Sequence, residues 1–220
     1  MPDVLLLVFQ LVVLIFSVMI HEIAHGYVAE KLGDPTARLA GRLTLNPLSH
    51  LDPIGSVLLP LILFFTNSPV LIGWAKPVPY NPYNLYKDYK YGPLKVALAG
   101  PASNILMLLV FGLAARIGAP FLGPALAGFF GFIAYLNIFL AVFNLVPIPP
   151  LDGSKLLMVF LPRQYAMLLE GIGFAGIFMV LIFLFLFSRI ISAVASWLFV
   201  LVAGENVYLF TVQVLSSAGS

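Results

Sequence analysis

Residues 4–29 read VLLLVFQLVVLIFSVMIHEIAHGYVA, and this stretch decides what kind of protein the chain is. From Val4 to Ile20 it is apolar apart from Gln10 and Ser17, and it continues without a break through His21, Glu22 and His25 to Ala29. Lys31, Gly33 and Pro35 then stop it. A helix of about 25 residues is long enough to cross a hydrocarbon core of about 30 Å. The stretch therefore predicts a transmembrane helix that carries three ionisable side chains near its C-terminal end. A secretory signal is the competing reading. No basic segment precedes the apolar run, and a signal would not carry His-Glu and His beyond it, so the helix is expected in the mature protein.

The rest of the chain agrees with a life in lipid. Of 220 residues, 61% are hydrophobic and only 9% are charged, against roughly 25% charged in soluble domains. Eleven Lys or Arg and nine Asp or Glu are too few to cover a water-soluble globule of this size, so the apolar excess faces the bilayer. A net charge of +2 gives no footprint for a nucleic-acid partner. The absence of cysteine excludes disulfides, thiolate metal sites and cysteine nucleophiles. Nothing in the sequence sets an oligomeric state.

Further spans are expected at about 94–117 and 124–146, then at 171–187, with 190–202 either a fifth span or an interfacial helix. The fold class is thus an all-α, polytopic membrane protein. Loops 31–53 and 74–93 carry Lys31, Arg38, Arg42, Lys76, Lys87 and Lys90, an excess that places both on the cytoplasmic side. Between them Ile54–Phe65 contains Pro60 and is only about a dozen residues long, which predicts a re-entrant or interfacial segment. Val70–Pro79 is β-favouring and punctuated by Pro77 and Pro79, which suits a short edge strand. Pro147, Pro149 and Pro150 cannot continue a helix, so Asp152 falls on irregular backbone at the membrane end of the 124–146 span. Such backbone is tolerated in a membrane only where protein buries it or a cavity is lined by it.

His21-Glu22-Ile23-Ala24-His25 is an H-E-x-x-H motif within a helix. Two residues four apart lie about 40° from one another and one turn displaced, so both imidazoles reach one zinc ion. Glu22 stands beside them, where it can take a proton from a water on that metal. The structural alternative is that the three side chains bond to neighbouring helices as polar glue. Ionisable groups inside a span are costly and mark function by default, which favours the metal. A catalytic zinc needs a third protein ligand and an open position. Glu30 faces away round the helix, and the position six beyond His25, where some zinc proteases place a third histidine, holds Lys31. Asp152 is one remaining choice, with an N-cap of the following short helix as its structural alternative. His50 is the rival ligand, although a solvated loop histidine is the plainer reading of it.

Taken together, His21-Glu22-x-x-His25-Gly26, Gly100-Pro101 and Asn144-x-x-Pro147 followed by Leu151-Asp152-Gly153 resemble the site-2 proteases, the zinc intramembrane metalloproteases. The resemblance covers residues 1 to about 160. It implies a catalytic core of three transmembrane helices over 1–160, with one or two C-terminal helices over 161–220. It also implies one Zn²⁺ held by His21, His25 and Asp152, with Glu22 as the catalytic base and Asn144 as donor to the oxyanion or the substrate backbone. The PDZ and CBS domains of larger members have no room here, so the likeness is to a minimal member. Asn104 and Asn137 are expected to make interhelical hydrogen bonds.

The metal site also constrains topology. His25 and Asp152 meet only if the first span and the 124–146 span run in the same direction, and with one span between them Ile54–Phe65 has to dip and return. A transmembrane substrate helix hides its peptide bonds, and the segment containing Gly73, Trp74 and Ala75 resembles the family's edge strand that would extend it by β-addition. The partners implied are a transmembrane protein substrate and the lipid bilayer, with the active site near the cytoplasmic side of a cell membrane. The alternative function is a non-catalytic metal carrier or a pseudoprotease that binds transmembrane segments. A carrier would place ionisable groups along the bilayer, whereas here they gather at one depth.

Overall fold

The computed structural model describes residues 4–58, 62, 76–173 and 175–217. Helix α1 spans Val4–Leu32. Its buried face carries Leu6, Val13, Ser17, His21, His25 and Ala29, spaced four or seven apart as one helical stripe requires. Leu5, Leu7, Val8, Leu11, Val12, Leu14, Ile15 and Phe16 are exposed. The helix thus turns its polar side chains inward and its large apolar ones outward, the arrangement a lipid solvent selects.

After the short helix α2 (Thr36–Leu39), helix α3 runs over Gly92–Phe121 and helix α4 over Gly123–Asn144. Gly123, at φ 74°, makes the turn between them; a side chain at that dihedral would be strained, and glycine is not. Phe111 meets Phe130 at 5.9 Å between ring centroids, so the two helices form an antiparallel hairpin. Two short helices follow, α5 (Gly153–Phe160) and α6 (Arg163–Gly171). Helix α7 (Ala175–Ala203) and helix α8 (Glu205–Ser217) complete the chain. Among the described residues four helices, α1, α3, α4 and α7, are long and apolar enough to cross a membrane.

Contacts fix the helix directions. Phe9 packs on Phe129 at 4.9 Å, and further along Ser17 accepts a 2.9 Å hydrogen bond from Asn137, so α1 and α4 are parallel. His25 meets Val96 while His21 meets Asn104, so α1 and α3 are antiparallel. The end of α1 and the start of α3 lie together, with the Lys87 amide donating to the Leu32 carbonyl at 3.2 Å. The chain therefore leaves α1 and enters α3 at the same end of the helix pair.

One expectation about the membrane elements is corrected. The separate segments 171–187 and 190–202 are one helix, α7, with Ser188 and Arg189 inside it. Neither residue breaks a helix, and Ala195, Phe199 and Ala203 pack on Leu108, Ala115, Ala134, Ile138 and Ala141. Alanine dominates this contact because helices in lipid gain by close van der Waals approach, which small side chains permit. There is no β-strand among the described residues. Of the expected strand 70–79, residues 70–75 lie outside the described residues, and 76–79 belongs to no regular element. Of the expected re-entrant segment, Pro53–Leu58 forms one π-helical turn capped by Asp52, whose Oδ1 accepts from the amides of Ile54 and Gly55. Residues 59–61 and 63–65 lie outside the described residues.

Candidate metal centre

The site is assembled from three places in the sequence. Helix α1 presents His21 and His25, both buried, and Glu22, which is half-buried. The irregular turn after α4 presents Asp152. Its Oδ2 lies 3.0 Å from His21 Nε2 and 3.3 Å from His25 Nε2. Asp152 does occupy the position before α5, but its side chain makes no capping bond. The carboxylate is turned to the histidines. Gly153 permits this close return of the chain, since a Cβ there would meet the backbone of Leu145 and lie 2.5 Å from the Val146 carbonyl oxygen.

Helix α3 closes the third side. A Cβ on Gly100 would strike His25 Nε2 and lie 2.5 Å from His21 Nε2, so the missing side chain leaves a space directly against both nitrogens. One turn before it, the Val96 carbonyl accepts from His25 Nδ1–H at 2.7 Å. One turn after it, the Asn104 amide lies 3.1 Å from His21 Nδ1.

The donor set fits zinc. His25 Nδ1 faces an oxygen that can only accept, so Nδ1 carries the ring proton and Nε2 of the neutral ring presents a lone pair. That lone pair and Asp152 Oδ2 would repel unless a cation lies between them. A proton joins two acceptors, whereas a metal ion joins all three converging atoms. For bonds of 2.0–2.2 Å, tetrahedral geometry sets neighbouring ligand atoms about 3.3 Å apart, close to the separations seen. The ligand atoms of His21, Glu22 and His25 also lie within 4.8 Å of one another, as a metal-binding cluster requires.

Glu22 is held from outside the helix. Its Oε2 accepts from the Val78 amide at 2.8 Å. The segment bearing Val78 is fixed in turn, because the Lys76 amide donates to the His50 carbonyl at 2.9 Å. Buried Arg42 also donates from Nη2 to the carbonyls of Lys76 (2.5 Å) and Pro77 (3.3 Å). With Pro77 and Pro79 lacking N–H groups, every amide proton from 76 to 79 is absent or engaged, so this half of the expected edge has no donor left for an added strand.

His50 is not a solvated loop residue, and among the described residues it is not grouped with His21, Glu22 and His25. It is 3% exposed and bonds through Nε2 to the Thr44 carbonyl at 2.9 Å. Asp34, unremarked in the sequence, is fully buried just beyond α1. It accepts from the Thr36 amide and hydroxyl, the Asn81 amide and the Asn84 side chain, stapling the loop after α1 to the loop before α3. Burial pushes its carboxyl pKa up, but these four donors outweigh that and hold it below the ordinary value. Asn137 makes the interhelical bond expected of it, to Ser17. Asn144 donates from Nδ2 to Leu140 of its own helix at 2.9 Å. Gly73, Trp74 and Ala75 lie outside the described residues. The open groove between α5 and α6, lined by Leu157, Leu161, Tyr165, Leu168, Leu169 and Ile172, is apolar apart from the Tyr165 hydroxyl and contains none of the site.

A multi-pass membrane protein whose buried His-Glu-x-x-His helix meets a distant aspartate belongs to a narrow class, and comparison with known proteins agrees. Residues 115–188 match Peptidase family M50. The chain is 36% identical over 203 residues to the "Putative zinc metalloprotease YwhC" of Bacillus subtilis, an alignment that covers 87% of this chain and 85% of that one. The chain belongs to peptidase family M50, the site-2 proteases, whose zinc the His-Glu-His group is positioned to bind. It is also 34% identical over 145 residues to the "Putative zinc metalloprotease Rip2" of Mycolicibacterium smegmatis, covering 63% of this chain and 52% of the relative. A third relative, the "Putative zinc metalloprotease MJ0611" of Methanocaldococcus jannaschii, is 46% identical over 79 residues, 33% of this chain and 38% of its own. No solved structure matches the chain.

Proposed function

We propose that this chain is an intramembrane zinc metalloprotease that hydrolyses peptide bonds in or near the transmembrane segments of membrane-protein substrates. The observation that carries the reading is the convergence of His21 Nε2, His25 Nε2 and Asp152 Oδ2 beside a carboxylate, Glu22, fixed through only one of its oxygens by the Val78 amide. His21, His25 and Asp152 would hold the zinc. When bound, the ion supplies Lewis-acid polarisation of a carbonyl and lowers the pKa of water in its coordination shell.

Glu22 accepts the proton of the attacking water at Oε1 and returns it to the leaving amine. Its bond to Val78 sets the carboxylate plane, so less orientational freedom remains to be lost during reaction. Asn144 reaches the oxyanion or substrate backbone only by exchanging its bond to Leu140, a rotation of the side chain. Residues 70–75, with Gly73, Trp74 and Ala75, extend the substrate by β-addition, since 76–79 has no free amide donor. The basic loops that flank the centre, with Arg38, Lys87 and Lys90, support a position near the cytoplasmic face of a cell membrane.

The test is zinc content and proteolysis together. The detergent-purified chain should hold one zinc and cleave a model transmembrane substrate, whereas E22Q should hold the zinc and lose cleavage by about 10³-fold or more. Full zinc occupancy with equal cleavage by E22Q would remove the assignment of Glu22, and no cleavage of any transmembrane substrate by the loaded chain would remove the protease reading.

A further inference from the structure

Asn104 is 0% exposed in the interior of a transmembrane helix, where an amide is expensive. One end of that amide lies 3.1 Å from His21 Nδ1, and the other end, Oδ1, has no partner. A residue retained for general helix packing would spread its hydrogen bonds over the neighbouring helix, as Asn137 does with Ser17 and Ile133. Asn104 directs its one side-chain contact at a single ring.

The consequence follows from the tautomer of that ring. An imidazole that gives a metal its Nε2 lone pair carries its proton on Nδ1, and whatever faces Nδ1 must then accept. Val96 does this for His25 with a carbonyl that has no other choice. For His21 the facing group is an amide, which accepts or donates according to a half-turn about its last side-chain bond. With Nδ2 toward the ring, the proton sits on Nε2 and points at Asp152 Oδ2, 3.0 Å away, and the site is closed on itself. With Oδ1 toward the ring, Nε2 is bare.

We propose that Asn104 is a positioning residue of the metal centre, whose side-chain carbonyl accepts the His21 Nδ1 proton and so presents Nε2 of His21 to the zinc. The inference rests on the metal ligands assigned under the proposed function. Val96, Gly100 and Asn104, four apart on one stripe of α3, then act as one unit: acceptor for His25, space for the ion, acceptor for His21. The amide serves both tautomers, so the same residue stabilises the ring before and after metal entry.

The substitution N104D removes the donor and keeps the acceptor, and N104L keeps the approximate size and removes both. Zinc affinity of the full detergent-purified chain is measured by competition with a chromophoric chelator, and Co²⁺ loading by its visible spectrum. N104L should bind zinc about 10- to 100-fold more weakly, and N104D should bind at least as tightly as the unaltered chain and give the same Co²⁺ spectrum. Melting temperatures in chelator provide the structural readout. They should be little changed in N104L, because an apolar group replaces an amide with one end already unpaired. Unaltered zinc affinity in N104L overturns the inference, as does N104D losing zinc to the extent N104L does. If N104L is not recovered folded, N104D alone decides, since a donor role predicts loss and an acceptor role predicts retention. Zinc binding that survives H25A in a chain with Asn104 intact would instead refute the ligand assignment, a separate failure.

Discussion

Replacing Gly100 with alanine is the sharpest perturbation of the centre, because it adds one carbon where the metal has to sit. That Cβ would lie 2.5 Å from His21 Nε2 and 2.6 Å from His21 Cε1, where ordinary contact begins at 3.4 Å. The ring or the helix has to yield by about 0.9 Å, several times the ~0.2 Å within which metal–ligand distances are held. Overpacking costs about 1–3 kcal/mol, and alanine in place of glycine returns about 1 kcal/mol of helix propensity. The two nearly cancel in the metal-free fold, so G100A should melt within a few degrees of the unaltered chain in chelator. Zinc affinity has no such offset and should fall by about 100-fold or more, roughly 2.7 kcal/mol or above. G112A is the matched control, since its Cβ meets Val202 Cγ1 at 3.2 Å and faces α7; its zinc affinity should not change. Competition titration with a chelator reads both variants. Zinc bound by G100A with unaltered affinity would mean that the ion does not lie between Gly100 and the histidines, and the geometry argued above would be wrong.

Three other outcomes are expected. R42M should free the Lys76–Val78 segment from its clamp and, through the Val78 amide, loosen Glu22, lowering turnover of a transmembrane substrate by about tenfold or more while zinc content stays at one per chain. G153A should force the turn carrying Asp152 away from the Leu145 and Val146 backbone, which cannot yield as a flexible side chain can; metal analysis should show a loss of zinc. D34N should destabilise the folded chain by about 1–3 kcal/mol at neutral pH, read as a lowered melting temperature in detergent. Because the folded pKa of Asp34 lies below its unfolded value of about 3.9, its contribution is complete above that value and is lost as pH falls through the folded pKa. The difference between the unaltered chain and D34N should therefore shrink on acidification below about pH 4, and a difference that grew would contradict the assignment.

The membrane class, the spans α1, α3 and α4, and the pairing of His21 with His25 follow from the sequence, because each rests on a local regularity: an apolar run of sufficient length or a helical four-residue spacing. With Asp152 as third ligand from the family resemblance, the parallel α1 and α4 are also expected, since His25 and Asp152 then have to meet at the same end. Asp152 was different. Spacing left it level with an N-cap reading. What supports the ligand reading is that its carboxylate points at the two histidines and makes no capping bond, an orientation that depends on the packing of the turn against α4 through Gly153. Length alone divided α7 wrongly, because Arg189 and Ser188 interrupt an apolar run without interrupting a helix. The burial of His50 and Asp34, the clamp of Arg42 on Lys76 and Pro77, and the hold of Val78 on Glu22 join residues up to 56 positions apart, and no periodicity encodes such meetings. Val96, Gly100 and Asn104 lay in plain view at four-residue intervals, yet a glycine beside a proline reads as packing until a neighbouring helix brings two imidazoles against it. Sequence determined which chemistry the chain can hold, since residue types and helical spacing are local; only the tertiary structure decided which atoms face one another, because the long-range contacts are set by helices packing in lipid.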